Sequence, residues 1–230
     1  MDGSEPRRAT VSGERSHTRT YRLPAPIDTC WHAFTDPAAR QRWFGIPLDQ
    51  LDGALEVDAP TLLRVAVDHP GLPGPTETTV HFGPSGDDTD VTHTLGGYGE
   101  GPIWENALQT SAYGVDEMMG DLALFLRTGV GVPRHVVFRC FDLLKGTRET
   151  PGGLEVFDVA PGTLPAEAGL LPGDVVVAFA GAAVYGFRDL LFGLREHAPG
   201  DVVELTWVRD GQRCTGSGAL TGTMPLGVGR

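Results

Sequence analysis

The chain has 230 residues, with 30 acidic and 18 basic side chains and a formal net charge of -12. A protein this acidic repels phosphate backbones and anionic lipid surfaces, so we expect neither nucleic-acid nor membrane partners. No apolar run approaches the ~18 residues of a membrane-spanning helix, and no apolar stretch follows Met1 as a secretory signal requires, which predicts a cytoplasmic protein.

The three cysteines are far apart, odd in number and without metal-ligand or redox spacing: Cys30, Cys140 and Cys214. This pattern favours reduced thiols that fill core or strand space. It predicts neither a metal site nor a cofactor.

The N-terminal region begins without periodicity. Residues 1–15 are polar, which predicts a disordered tail, and residues 17–24 alternate as a first strand does. A first helix that ends at Pro37 follows, because apolar residues recur at helical spacing: Ile27, Cys30, Trp31 and Phe34. A second short helix is predicted over 38–43 and ends at Gly45.

Three further strands and one long helix follow. Segments 61–69, 76–82 and 89–95 have the composition of antiparallel strands separated by turns rich in Gly and Pro. A helix predicted over 102–126 carries apolar residues at the helical period, and Gly129 ends it.

Three features of this half resemble the SRPBCC (START-like) superfamily, and within it the homologues of the heat-shock chaperone ATPase activator. They are Asp36-Pro37, Arg42-Trp43-Phe44-Gly45, and the Gly-rich break at 96–101 before a helix that begins near Trp104. The resemblance covers about residues 16–129 and defines a first domain over 16–130. It implies a helix-grip fold, in which a curved antiparallel sheet wraps a long C-terminal helix and often encloses a cavity.

The inward positions of such a sheet supply the candidate ligand-cavity residues. The alternation places Leu62, Arg64 and Ala66 on the inward phase of one strand and His93 on the apolar phase of another. His93 is either a satisfied core histidine or a general acid–base group in the cavity. The candidate cavity residues are Trp31, Trp43, Arg64, Phe82, His93, Trp104 and Met118.

The second half carries two strings that resemble the PDZ domains of bacterial HtrA-type proteases, at residues 153–162 (GLEVFDVAPG) and 166–176 (AEAGLLPGDVV). The resemblance implies a small, β-barrel-like PDZ domain with two helices over 133–222, followed by a tail at 223–230. Strands at 135–142, 153–159, 175–179, 202–208 and 212–220 and a helix at 187–197 complete the pattern. The whole chain is therefore predicted to be an α+β protein of two domains.

A PDZ domain binds a protein C-terminus or an internal segment as an added strand, so the resemblance also implies peptide-contacting residues. The predicted receiving strand supplies Val137, Phe138, Arg139 and Cys140, and the predicted groove helix supplies Phe187, Leu190, Leu191 and Leu194. Arg139 falls where the family places a loop glycine. Either it holds the peptide carboxylate by charge, or C-terminal binding is lost.

A protease function is not expected, because no Ser-containing active-site string precedes the PDZ-like half. The nearest string, Gly83-Pro84-Ser85-Gly86, lies in an acidic hairpin loop. We therefore expect a non-catalytic adaptor with a cavity for an apolar small molecule or a client surface, and a groove for a protein segment. Three alternatives remain open: a cavity enzyme of the polyketide cyclase or aromatase type, a co-chaperone-like ATPase regulator, and a PDZ fold used only for packing.

Overall fold

The computed structural model describes residues 15–45, 53–69, 72–136, 140 and 142–222. The two predicted tails lie outside these residues, except that Arg15 already begins the first strand. The chain divides into two compact units, one formed by residues 1–100 with 116–134 and the other by 101–115 with 135–230. The division falls inside the long helix, whereas the sequence assigned that helix wholly to the first domain.

The first unit contains a five-stranded antiparallel sheet with strand order β1-β5-β4-β3-β2. The elements in chain order are β1 (Arg15–Leu23), α1 (Ile27–Thr35), α2 (Pro37–Phe44), β2 (Ala54–Asp58), β3 (Leu62–Val67), β4 (Thr76–Ser85), β5 (Asp88–Tyr98) and α3 (Pro102–Thr128). The predicted strands and helices are present, and β2 is an addition. The predicted α+β class, with an antiparallel sheet and one long helix, is confirmed.

One face of this sheet is buried. Along β5 every second residue from Thr89 to Leu95 is buried, as a strand with one core-facing side requires. Register aligns Leu63 with Val80 and Val80 with His93, so these three side chains share the inner face.

The phase predicted for β3 is wrong. Leu63 is buried, and Arg64 lies on the opposite face, where its guanidinium reaches Glu56 and Glu77 at 3.4 and 4.0 Å. Leu62 and Leu63 are adjacent apolar residues, so alternation alone could not decide which of them faces inward.

Local capping fixes α2, and hydrogen bonds to β1 hold the second half of α3. The Asp36 carboxylate accepts the N–H of Ala39 at 2.7 Å and caps α2, and Gly45 ends that helix with φ 86°. In α3, Asp116 accepts hydrogen bonds from Tyr21 (2.5 Å) and Arg19 (2.6 Å) of β1. None of the described helices is both long and apolar enough to cross a bilayer.

The second unit combines the first turns of α3 with a sheet of strand order β11-β10-β8-β7-β6, in which β9 pairs with β8. Its elements after α3 are β6 (Thr147–Thr150), β7 (Gly153–Val156), α4 (Leu164–Ala168), β8 (Val175–Phe179), β9 (Ala182–Ala183), α5 (Phe187–Arg195), β10 (Val202–Arg209) and β11 (Gln212–Ala219). One apolar cluster lies at its centre, with Phe179, Phe187 and Trp207 among its largest members.

The edge strand beside β7 is β6, not the predicted segment 135–142. Residues Arg134–Val136 form a single 3-10 turn, and β6 pairs with β7 from Thr147 opposite Val156 to Thr150 opposite Gly153. The apolar run at 135–141 looked like a strand by composition. The true strand has the sequence Thr-Arg-Glu-Thr, whose polarity gives no periodic signal.

Candidate peptide-binding groove

The edge strand β6 presents backbone polar groups on the side away from β7. In an antiparallel pair, alternate residues direct their N–H and C=O groups to opposite sides. The groups of Thr147 and Glu149 lie on the outer side, since their hydrogen-bond partners are not residues of β7. An edge of this kind is where a PDZ domain adds a peptide as an extra strand.

A four-residue loop, Leu143-Leu144-Lys145-Gly146, leads into β6. Gly146 has φ 77°, and its carbonyl accepts the N–H groups of Phe157 (2.7 Å) and Asp158 (3.1 Å). A Cβ at this position would lie 2.3 Å from the Asp158 carbonyl oxygen, so only glycine fits. The loop glycine is therefore Gly146. The prediction that Arg139 had replaced it is wrong.

The carboxylate of Asp142 anchors this loop from behind. It accepts hydrogen bonds from the N–H of Leu164 (3.2 Å), and from the N–H (2.9 Å) and hydroxyl (3.0 Å) of Thr221. The Thr147 hydroxyl donates to the carbonyl of Leu143.

The predicted groove helix α5 is present, and its apolar face is buried. Phe187, Leu190 and Leu194 belong to the core cluster, and Leu191 is 9% exposed. The Glu149 carboxylate on β6 accepts the N–H of Phe187 at 2.6 Å and so satisfies the start of this helix. A Cβ at Gly186 would lie 2.2 Å from that carboxylate oxygen, so a larger residue there would displace the Glu149 side chain.

The residues predicted on the receiving strand do not form this site. Val137, Phe138 and Arg139 lie outside the described residues, and Cys140 is fully buried in the core cluster. The prediction that Cys140 contacts a peptide is wrong, because its side chain packs beneath the sheet's own apolar residues. The missed signal was a glycine followed by a short polar segment, Gly146 and β6, before the strand β7.

A second missed feature joins two of the sequence's turn motifs. Arg209 donates to Asp174 through Nε (2.7 Å) and an NH2 group (2.6 Å), and the N–H of Leu171 donates to the same carboxylate at 2.7 Å. Burial opposes ionisation of Asp174, but these hydrogen bonds outweigh it and hold the pKa of the carboxyl below its usual range. The pair fixes the turn before β8 to the end of β10.

Two of the predicted cavity residues in the first unit are in contact, and two more are buried there. Trp31 meets Phe82 edge-on at 5.4 Å, Trp43 is fully buried with its indole N–H on the Ala33 carbonyl, and Met118 is buried. Arg64 lies on the outer face of the sheet. Trp104 belongs to the second unit, so the structure does not group it with the others.

His93 lies on the inner face as predicted, and a residue that the sequence did not single out lies near it. His93 is 4% exposed, and its Nδ1 has no hydrogen-bond partner among the described residues. Burial lowers its pKa to about 4, with the charges of His17 and Arg40 acting in the same direction. Arg40 is also 4% exposed, and burial lowers its pKa to about 10. Its guanidinium stacks on the ring of Phe44 at 4.3 Å, and its Nε has no partner. In the sequence, Arg40 looks like one more polar residue of a short helix.

Known proteins match the two halves separately. Residues 141–217 match the family model described as PDZ domain, which confirms the predicted PDZ domain. The serine protease Do-like HtrA of Lactococcus lactis is 36% identical over 78 residues, which is 34% of this chain and 19% of that protease. The chain thus spans about a fifth of that relative.

Solved structures with similar folds cover about half of the chain. Protein MLL2253 of Mesorhizobium loti is 17% identical, with a TM-score of 0.43, and the match covers 50% of this chain and 98% of that one. CalU16 of Micromonospora echinospora is 22% identical, with a TM-score of 0.42, and the match covers 52% of this chain and 78% of that one.

Proposed function

We propose that this chain is a non-catalytic protein-binding module that receives the C-terminal segment of a partner protein between β6 and α5. The observation that carries the proposal is the loop glycine Gly146 leading into an edge strand, within the residues that match a PDZ domain. Buried cysteines outside any disulfide, such as Cys30 and Cys140, suit a reducing compartment, and we infer a cytoplasmic location.

The groove would hold its ligand through the backbone. An extended peptide pairs with the outer groups of Thr147 and Glu149, and its carboxylate binds at the loop Leu143–Gly146. Lys145 is the one cation of the loop Leu143–Gly146 and adds charge next to that carboxylate. Such a site recognises a free C-terminus and an extended conformation.

The test compares two pools of ten-residue peptides that end in Val, Leu, Ile or Phe, one pool as free acids and the other as C-terminal amides. Binding of each pool to the full chain is measured by fluorescence anisotropy. We expect the free acids to bind about fivefold tighter or more, because the amide loses a charge-assisted interaction. Equal binding of the two pools would contradict the proposal.

Two charge variants sharpen this comparison. Lys145→Gln removes the loop cation, and Arg213→Gln removes an exposed cation from β11 in the same unit. We expect Lys145→Gln to weaken binding of the acids only, and Arg213→Gln to leave both pools unchanged. Equal effects of the two variants would mean that only net charge matters.

A small-molecule site in the first unit is a second candidate function. The supporting observation is the pair of buried cationic or potentially cationic side chains, Arg40 and His93, each with a nitrogen that has no hydrogen-bond partner among the described residues. An apolar molecule with an acidic group would satisfy both. Native mass spectrometry of the gently purified full chain tests this, since a discrete bound mass that is lost in His93→Gln supports it and a bare chain opposes it.

A further inference from the structure

The outer edge of β6 is occupied by the chain itself. Two side chains from the first half of α3 bond the backbone groups that a peptide would use. Asn106 donates from Nδ2 to the carbonyls of Thr147 (2.6 Å) and Leu144 (2.7 Å). Gln109 accepts the N–H of Glu149 at 3.0 Å and donates to the Glu149 carbonyl at 3.5 Å.

These contacts reproduce the pairing of an added strand. Outward-facing peptide groups recur every second residue along a strand, and here they belong to Thr147 and Glu149. A primary amide carries both a donor and an acceptor, as a backbone peptide unit does. Gln109 thus makes with Glu149 the same two bonds that a bound peptide residue would make. Asn106 takes the place of the peptide residue nearest the loop.

The fit extends along the whole edge strand. Glu105 accepts from the guanidinium of Arg148 at 2.8 Å, and the Tyr113 hydroxyl donates to the Glu149 carboxylate at 2.9 Å. Tyr113 also packs against the core cluster, and the guanidinium of Arg188 on α5 lies 5.5 Å from its ring centre. The four α3 residues, Glu105, Asn106, Gln109 and Tyr113, recur at helical spacing and share one face.

We propose that residues 102–115 of α3 are an internal ligand of the groove, and that a partner peptide binds only when this segment leaves β6. The proposal rests on the proposed function, because it concerns regulation of the same site. The affinity of the full chain for peptides is then the affinity of the open groove multiplied by the fraction of molecules in which it is open.

The experiment weakens the internal ligand without touching the groove. The double variant Asn106→Ala/Gln109→Ala removes the amides that bond β6, and Ser111→Ala is the control, at a position of the same helix with no hydrogen bond to β6 among the described residues. Circular dichroism confirms that both fold. Binding of the free-acid peptide pool is measured by anisotropy for both variants and the unmodified chain. Tyr113→Phe, which removes only the hydroxyl bond to Glu149, is the milder second variant.

We expect the double variant to bind about tenfold tighter than the unmodified chain, because it loses the hydrogen bonds that keep the groove closed. Tyr113→Phe is expected to bind about threefold tighter, and Ser111→Ala to match the unmodified chain. Hydrogen exchange adds a second readout. Saturating peptide should speed exchange in 102–115 of the unmodified chain while the Glu149 N–H stays protected, because one partner of β6 replaces the other.

Three outcomes separate the two ideas. Tighter binding by the double variant and by Tyr113→Phe supports the internal ligand. Free-acid binding that is equal in all variants, with unchanged exchange over 102–115, overturns it and leaves the proposed peptide site intact. Absence of free-acid binding in every variant overturns the proposed function, and the internal-ligand role falls with it.

Discussion

The buried histidine of the first unit predicts a specific dependence of stability on pH. His93 lies on the inner face of β5, and its pKa in the folded protein is about 4, against an ordinary value of 6.5. Between these two values the unfolded chain binds a proton that the folded chain does not. Stability from this residue is therefore fully present at neutral pH and is lost as pH falls from 6.5 towards 4.

The magnitude follows from the two pKa values. One pKa unit corresponds to about 1.4 kcal/mol, so the full loss is on the order of 3 kcal/mol, and about 2 kcal/mol of it is lost by about pH 5. His93 is 4% exposed, so solvent screens this effect little. The variant His93→Leu cannot titrate and lacks this contribution.

The assay is urea unfolding followed by tryptophan fluorescence, at about pH 7.5 and about pH 5. It compares the protein that keeps His93 with the His93→Leu variant, both carrying Trp104→Phe and Trp207→Phe. Trp31 and Trp43 then fluoresce alone, and both lie in the first unit. The difference in unfolding free energy between the two proteins should shift by about 2 kcal/mol in favour of the variant at the lower pH. Parallel behaviour of the two proteins would refute the reasoning.

Two further predictions concern the second unit. Arg209→Met leaves the Asp174 carboxylate without its guanidinium partner, and we expect a lower free energy of unfolding at neutral pH, measured by urea titration. Recovery in Arg209→Met/Asp174→Asn would confirm the cause. Gly146→Ala forces a Cβ to within 2.3 Å of the Asp158 carbonyl oxygen at a positive φ, so we expect a lower melting temperature, whereas Gly152→Ala, where space is open, should melt as the unmodified chain does.

The sequence was most informative where burial imposes a period. The strand β8 was predicted with the bounds that the structure has, because five successive apolar residues stand between turn-forming residues. The start of α5 and the β10–β11 hairpin at Asp210 and Gly211 also matched, since turn chemistry fixes them locally.

The candidate site was harder to predict because nothing local marks it. The strand β6 is short and polar, and it exists because β7 pairs with one edge and α3 with the other. Helical periodicity in α3 indicated which residues are apolar, but not that Asn106 and Gln109 bond a strand distant in the sequence. The loop glycine was therefore sought at Arg139, in a run whose apolar composition looked more like a strand.

The division of α3 also bears on how the protein is dissected in the laboratory. A fragment that begins after residue 130 contains the sheet of the second unit but not residues 101–115, which belong to the same unit. Its edge strand β6 would then present uncovered N–H and C=O groups to solvent, the condition under which sheets pair with one another and aggregate. A fragment that begins before Pro102 keeps the α3 residues that bond β6. The choice of the first residue therefore decides whether experiments on the isolated unit measure a monomer or an aggregate.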